Sequence, residues 1–505
     1  MYFFCSDAIG GILMVAEQRT GGLSRRYILM GIAFILVFFA RFFPHPAEMS
    51  PSAMQVLGIF IGTLILWLSV GVHWPSALCL GALGFIPELN FSSILSGSIG
   101  SQIFTFLIFT FMCSYTLAKT PFVRRVAIWF ISRKLARKNA YWFCVLYFAS
   151  MFCMALIMSP TVLFVAYLSI SEEIFELLRL KKGDKLASMI MVGQTISCCL
   201  GSAATPITHD GPILGLGLYE AATGESISYA AYIGFGLPLA LLIFLLTLLV
   251  FRFLLKPDLS PLTKLDAEHL GETQEPMSRD EGIVLLVFLG VVALWVFPGL
   301  LKDVFPGASA YVSGLGLTMP PLLGVVLLCV LQGRNGKPLM DYNDALQNGV
   351  SWTCCIMAAA VLALSSALSN EEIGFTAFIN SAIQPVISGL SPIPLIGLLI
   401  LWSGLLTNIC SNLVTITLVI SVGLPICMAS GGALNGAAMA ALVSFMGAFA
   451  VATPSAQPLV SMGVGRGYVR LGMLIRYGYL LVVLAAVSGI LLGYPLAAGL
   501  MADLI

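Results

Sequence analysis

Residues 203–212 read AATPITHDGP, and residues 451–458 read VATPSAQP. Each lies inside a long apolar stretch. There a proline removes a backbone donor and disfavours helix at the residue before it. Two helix breaks spelled with nearly the same letters therefore stand in opposite halves of one chain.

The surroundings of these breaks decide the class. Of 505 residues, 59% are hydrophobic and 10% charged, with a mean hydropathy of +0.99. A soluble globular protein carries roughly 25% charged residues, and apolar runs of about 17–25 residues are long enough to span a bilayer. An all-α polytopic membrane protein follows. Spans are predicted near 27–43, 52–71, 74–89, 101–118, 186–218, 226–252, 283–300, 317–333, 350–368, 434–462 and 477–498, about 11 transmembrane helices. Two further apolar stretches, 140–178 and 388–428, are interrupted at the middle and predict re-entrant hairpins.

Basic residues orient the chain. With residues 1–26 cytoplasmic and both interrupted stretches returning to the side they entered, all but Arg41 and Lys302 of the 25 Lys and Arg fall inside. Two ordinary spans at 140–178 leave the later count unchanged, so charge orients the chain without choosing between hairpin and spans. Residues 1–26 lack a basic n-region, so no secretory signal is expected. The cysteines, including Cys198–Cys199 and Cys354–Cys355, read as buried thiols without metal-ligand spacing. PFVRRVAIWFISRKLARK at 121–138 reads as an interfacial amphipathic helix in contact with membrane lipid. Glu172, Glu173 and Glu176 beside Arg179 and Lys182 read as a solvated face. His45, His73 and His269 fall in loops or at span ends, and no nucleic-acid patch is present.

The hydrophilic linker 256–282, KPDLSPLTKLDAEHLGETQEPMSRDEG, separates two apolar halves, 27–255 and 283–505. Each half repeats the same order. MSPTVLF at 158–164 precedes AATP at 203–206, and CSNLVTI at 410–416 precedes VATP at 451–454. Ser159 to Thr205 is 46 residues, and Ser411 to Thr453 is 42. FTFLIFTFMCSYTLAKT and IMAAAVLALSSALSNEE precede the two hairpins in turn. In the charge-derived orientation the hairpin 140–178 opens from the cytoplasm and 388–428 from outside, so the halves are inverted repeats. A single proline kink commonly serves packing alone. Four motifs in two matched pairs point instead to a central site of helix ends and unwound backbone, beside broken helices 186–218 and 434–462. Hydroxyls, amides and helix N-termini bind carboxylates without a buried Arg or Lys, and their oxygens suit Na⁺. No GxSxG, HExxH or Walker A motif appears, so no enzyme is expected.

On these four motifs the chain resembles the divalent anion/sodium symporter family, carriers of di- and tricarboxylates and in some branches sulfate. The resemblance implies a homodimer with a scaffold domain and a transport domain that moves by an elevator-like shift. It implies a Na⁺ site from Thr407, Ser411, Asn412, Ala452 and Pro454, and substrate contacts from Ser159, Thr161, Thr205, Asn412 and Thr453. His209, where the chain departs from the family, is a candidate substrate contact as an ionisable residue beside the first break, the alternative being that it and Asp210 cap the broken helix. Leu413 departs from the family's Thr. Pro160 stands for its Asn, Ala155 for a hydroxyl, Ala204 for Gly, and Ile207-Thr208-His209-Asp210 for Pro-Asn. These changes remove oxygen ligands from the first site, implying fewer coupled Na⁺ or an exchanger. The reading is thus a dicarboxylate carrier, Na⁺-coupled or exchanging, in the cell membrane. The alternatives are sulfate, tricarboxylate or another anion, or H⁺-linked transport through His209 and Asp210. A sensor would carry a soluble output domain, and a channel would need no paired breaks.

Overall fold

Helices follow from the apolar runs, and their ends from the residues that flank them. Ser50, Asn139, Ser228 and Asn435 each accept a backbone N–H of the helix they begin, satisfying donors that have no partner inside a first turn. Pro160 and Pro458 occupy first helical positions, where the missing N–H costs nothing.

A computed structural model describes residues 22–46, 49–207, 209–264, 276–301, 304–370, 372–374, 392–454 and 456–504. Residues 1–21, Thr208, residues 265–275 of the linker (including His269), Lys302 and the start of the expected second hairpin lie outside the described residues. The first helices are α1 (Gly22–Phe39), α2 (Pro51–Ser69), α3 (His73–Leu83), α4 (Phe91–Ser98), α5 (Gln102–Ala118), α6 (Phe122–Ile131) and α7 (Lys134–Lys138). Then come α8 (Ala140–Ala155), α9 (Pro160–Leu177), α10 (Lys185–Ala203), α11 (Asp210–Thr223) and α12 (Tyr229–Val250). The second half holds α13 (Arg279–Leu301), α14 (Pro306–Gly314), α15 (Met319–Val330), α16 (Trp352–Ser369), α17 (Pro392–Leu406) and α18 (Asn412–Ala429). It ends with α19 (Gly436–Ala448), α20 (Pro458–Gly465), α21 (Leu471–Ser488) and α22 (Tyr494–Leu500).

Seven of the described helices are long and apolar enough to cross a membrane, or nine if each of two bent pairs is one span. That is fewer than the apolar runs suggest, because hydropathy does not report where a run is cut. The run 74–89 contains α3, whose 11 residues reach ~16 Å against a hydrocarbon core of ~30 Å. Near 317–333, α14 and α15 meet at 77°.

Hydrogen bonds define the first hairpin. Tyr147 Oη on α8 lies 2.7 Å from Ser171 Oγ on α9, and Tyr167 Oη donates to Ser150 Oγ at 2.8 Å. Partners equally distant from residues 158–159 make α8 and α9 antiparallel arms with their tip there. Gln194 of α10, fully buried, accepts from Ser171 at 2.5 Å and locks the hairpin to α10. Likewise a Cβ at Gly423 on α18 would sit 3.1 Å from Leu399 on α17, so these arms fold back about residues 407–411.

The halves then interlock. After its break the first half continues as α11, which packs on α18 and α19; after its break the second half continues as α20, which packs on α9 and α10. Ion pairs tie the periphery. Arg125 of α6 makes a two-pronged contact of 3.0 and 3.1 Å to the buried Glu281 of α13. Its neighbour Arg124 pairs with Glu173 of α9 at 2.9 Å. Arg466 lies 3.5 Å from Glu172. The face expected to be merely solvated thus pairs across elements, because α6 and the segment after α20 pack against α9.

At Gly201 α10 meets the backbone of α8: a Cβ would lie 2.4 Å from the Phe152 carbonyl oxygen and 2.7 Å from Ala155 Cβ. Backbone cannot step aside there. Gly201→Ala is expected to destabilise the detergent-solubilised protein by about 1–3 kcal/mol through overpacking, lowering its melting temperature. Gly31→Ala, with open space around it, should leave that temperature unchanged or raise it.

Candidate functional site

The site is built where the hairpin tips meet the helix breaks. In the first half α10 ends at Ala203, two residues before Thr205-Pro206, and helix resumes only at Asp210. In the second, α19 ends at Ala448 and helix resumes at Pro458. Carbonyls released by each break find side chains. Tyr232 Oη donates to Ala203 O at 3.0 Å, and Gln457 Nε2 donates to Ala450 O at 2.8 Å.

One hydrogen bond occurs twice at matched positions. Thr205 Oγ1 of the first break donates at 2.7 Å to Leu156 O of the first tip. Thr453 Oγ1 of the second break donates to Asn408 O of the second tip. Leu156 lies three residues before Ser159, and Asn408 lies three before Ser411. Both threonines of the repeated ATP thus latch a broken helix onto a hairpin tip. His209 and Gln457, each four residues beyond its threonine, stand as the N-caps of α11 and α20.

The second tip carries more polar groups than the first. Thr407 Oγ1 lies 2.5 Å from Gly447 O and 3.0 Å from the Asn412 side-chain amide. A hydroxyl has one proton, so Thr407 donates either to the Gly447 carbonyl or to Asn412 Oδ1, not to both at once. Asn408, fully buried, accepts from the Ala452 N–H at 2.7 Å and donates to Gly404 O at 2.8 Å. Ser403 Oγ donates to Val443 O at 3.0 Å. The structure therefore places two adjacent sets of bonds at this tip: Thr407 with Asn412 and the Gly447 carbonyl, and Asn408 with Ala452 and Thr453. Ser411 begins α18 beside them, with no bond from its side chain to that helix. The Pro454 carbonyl accepts from Ser461 Oγ.

At the first tip, Ser159 begins α9, again with no capping bond from its side chain, and its N–H donates to Ser114 Oγ at 3.3 Å. Cys198 of α10 donates to Pro160 O at 3.4 Å, and the adjacent Cys199 accepts from Gln457 at 3.1 Å. These contacts bring the starts of α9 and α20 to the same stretch of α10. Thr161 is exposed and, among the described residues, makes no hydrogen bond to this cluster. His209 is buried, with Nδ1 3.0 Å from both the Gly211 N–H and Asp210 Oδ1. Nδ1 can cap the helix when unprotonated or donate to Asp210 when protonated, but not both.

The hairpins and broken helices, 140–178, 186–251 and 392–465, contain no Lys or Arg. Four helices, α9, α11, α18 and α20, begin at these tips and breaks, and a helix N-terminus carries partial positive charge. Sequence reasoning missed Asn408, Gln457 and Gln194. Asn408 and Gln457 flank motifs already singled out, and a polar amide within an apolar run is itself a signal. Gln194 has no motif near it.

The chain matches the sodium:sulfate symporter transmembrane region over residues 24–499. It is 26% identical over 335 residues to the sodium-dependent dicarboxylate transporter SdcS of Staphylococcus saprophyticus, covering 62% of this chain and 61% of that one. The match thus spans about three fifths of that relative's length. An uncharacterized transporter of Haemophilus influenzae is 22% identical over 472 residues, covering 92% of this chain and 96% of its own. In fold the chain is similar to the crystal structure of the Alcanivorax borkumensis YdaH transporter. The TM-score is 0.54 at 14% identity, over 89% of this chain and 98% of that one. A helical chain broken twice around one polar core, matched over nearly its whole length, is a membrane transporter belonging to the sodium:sulfate symporter family.

Proposed function

We propose that the protein carries small dicarboxylate anions across the cell membrane, coupled to Na⁺ or exchanging one anion for another. The observation that supports this most is the doubled threonine latch. It holds two hairpin tips against two broken helices, and the helix N-termini gathered there suit carboxylate charge in a region without Lys or Arg. The dicarboxylate named for SdcS agrees with two ends of substrate meeting two tips.

In this reading the halves are inverted repeats, and the hairpins with α10, α11, α19 and α20 form the body that moves in an elevator-like shift. The amphipathic α6, fixed to α13 through Arg125 and to α9 through Arg124, links that body to the remaining helices. The protein is a homodimer with a cytoplasmic N-terminus. The Na⁺ site is the second tip, from Thr407, Ser411, Asn412 and the unwound carbonyls of Ala452 and Pro454, with Asn408 holding that backbone in place. The first tip offers Ala155 and Pro160 at the equivalent positions, which supply no side-chain oxygen. Substrate meets Ser159, Thr205, His209, Asn412 and Thr453, and Thr161 reaches it only if the exposed side of α9 faces the aqueous cavity.

Uptake of radiolabelled succinate, citrate and sulfate into proteoliposomes, with and without Na⁺, tests the proposal. Succinate uptake driven by Na⁺ with a Hill slope near one is expected, and preference for sulfate or citrate would replace the substrate assignment. Asn412→Ala should lower Na⁺-stimulated uptake at least tenfold with yield and gel-filtration profile intact. Unchanged uptake and Na⁺ dependence in that variant would show that the cation binds elsewhere.

The position of His209 favours a second reading, proton-linked transport. Protonation moves Nδ1 from capping α11 to pairing with Asp210, next to the first break. His209→Gln keeps a polar side chain and removes the proton-accepting ring, so uptake driven by a proton gradient in wild type should lose that drive in the variant. An equal response to the gradient would leave His209 as a helix cap alone.

A further inference from the structure

A cavity lies at the end of the first hairpin opposite its tip, where the start of α8, the start of α10 and the end of α12 converge. It holds about 530 Å³, within the range of small-ligand sites, about 300–1,000 Å³. Its wall is apolar, from Cys144, Phe148, Met189, Leu248 and Phe251. Its polar lining is confined to Asn139, Tyr141, Arg252, Lys256 and Ser260.

The two cations are held in place. Past Val250 the helix widens into a π-turn, Phe251–Leu255, and ends at Lys256 in the left-handed conformation, φ 46°. A residue other than glycine rarely adopts it. Lys185 Nζ donates to the Lys256 carbonyl at 3.4 Å and supports that turn. The Arg252 guanidinium sits 4.8 Å from the centre of the Tyr141 ring, and Tyr141 Oη donates to Leu248 O at 3.3 Å. Both side chains are exposed at their tips while the wall behind them is dry. Lys134 and Lys138, just before α8, add positive charge at the same end. The nearby acid, Asp258, has its carboxylate turned into its own loop by Ser260, at 2.6 Å to Oγ and 3.0 Å to N.

This end of the molecule also carries the marks of a membrane interface. Tyr141 and Trp142 stand in the first turn of α8, the aromatic position at the level of lipid headgroups. Leu241, Leu245 and Leu249, four residues apart on α12, are all exposed and lead along one face toward the cavity's level. A soluble anion would gain from Arg252 and Lys256 but nothing from the carbon wall. A fatty chain alone would gain nothing from the cations. A molecule with an anionic phosphate joined to an acyl chain uses both, and basic pockets between transmembrane helices are suited to acidic lipid headgroups.

We propose that this cavity is a binding site for an acidic phospholipid. Arg252 and Lys256 hold its phosphate, and one acyl chain lies against Phe148, Leu248 and Phe251. A lipid seated there touches the outer arm of the first hairpin and the end of α12 together.

Native mass spectrometry of the delipidated full-length protein tests this, with phosphatidylglycerol and phosphatidylcholine of identical acyl chains as probes. Wild type should retain phosphatidylglycerol at least tenfold better than phosphatidylcholine, and Arg252→Gln/Lys256→Gln should abolish that preference. Arg252→Gln alone, at an exposed position, should reduce it and serves if the double variant does not fold. Equal retention of the two lipids by wild type would overturn the proposal, as would an undiminished preference in a folded variant. Displacement of phosphatidylglycerol by glycerol 3-phosphate at equal concentration would also overturn it, reducing the site to one for soluble anions.

Discussion

A backbone broken inside an apolar body must have its freed amides and carbonyls satisfied by the protein itself, since no lipid can do it. Here that constraint is met largely by side chains from the facing element. Thr205 and Thr453 each reach a tip carbonyl, Tyr232 and Gln457 cap the carbonyls left at the ends of α10 and α19, and Asn408 takes the Ala452 amide. Remove these bonds and the four helix N-termini have no reason to stay gathered. An unpaired buried polar group costs about 1–3 kcal/mol, so each latch is worth keeping independently of any ligand.

The two halves meet the same constraint with different chemistry. The second tip is polar throughout: Ser403, Thr407, Asn408 and Asn412 bind each other's surroundings and the carbonyls of α19. The corresponding first-half positions, among them Ala155, Leu156 and Pro160, offer little beyond backbone, and the first hairpin is instead fixed deeper, by Tyr147, Ser171 and Gln194. Side-chain oxygens and amides therefore concentrate at one tip, while the other relies more on backbone.

Crossing over of the halves makes the core a joint product. Because α11 packs on the second hairpin and α20 on the first, each hairpin is covered by a helix from the other half. Gly215 shows how close this is: a Cβ there would lie 1.7 Å from Ser444 Oγ of α19, so only glycine lets α11 lie where it does without moving that side chain. At the edge of the molecule the buried Glu281 is held by Arg125, a pairing strong enough to matter because an uncompensated buried charge is so unfavourable.

Much of this was legible in the letters. Apolar runs marked an all-helical membrane protein, and Thr205-Pro206 and Thr453-Pro454 marked the breaks, since proline's missing N–H acts locally whatever surrounds it. Ser159-Pro160 and Ser411-Asn412 marked helix starts for the same local reason. What local rules could not supply was the partner across the gap. That Thr205 finds Leu156 and Thr453 finds Asn408, that Glu172 and Glu173 pair with Arg466 and Arg124, and that the 74–89 run is cut into a short α3 all depend on which helix lies opposite. Periodicity and proline chemistry are properties of a segment and were determined by the sequence itself. Hydrogen-bond partners and ion pairs are properties of two segments brought together, and only the tertiary structure decided them.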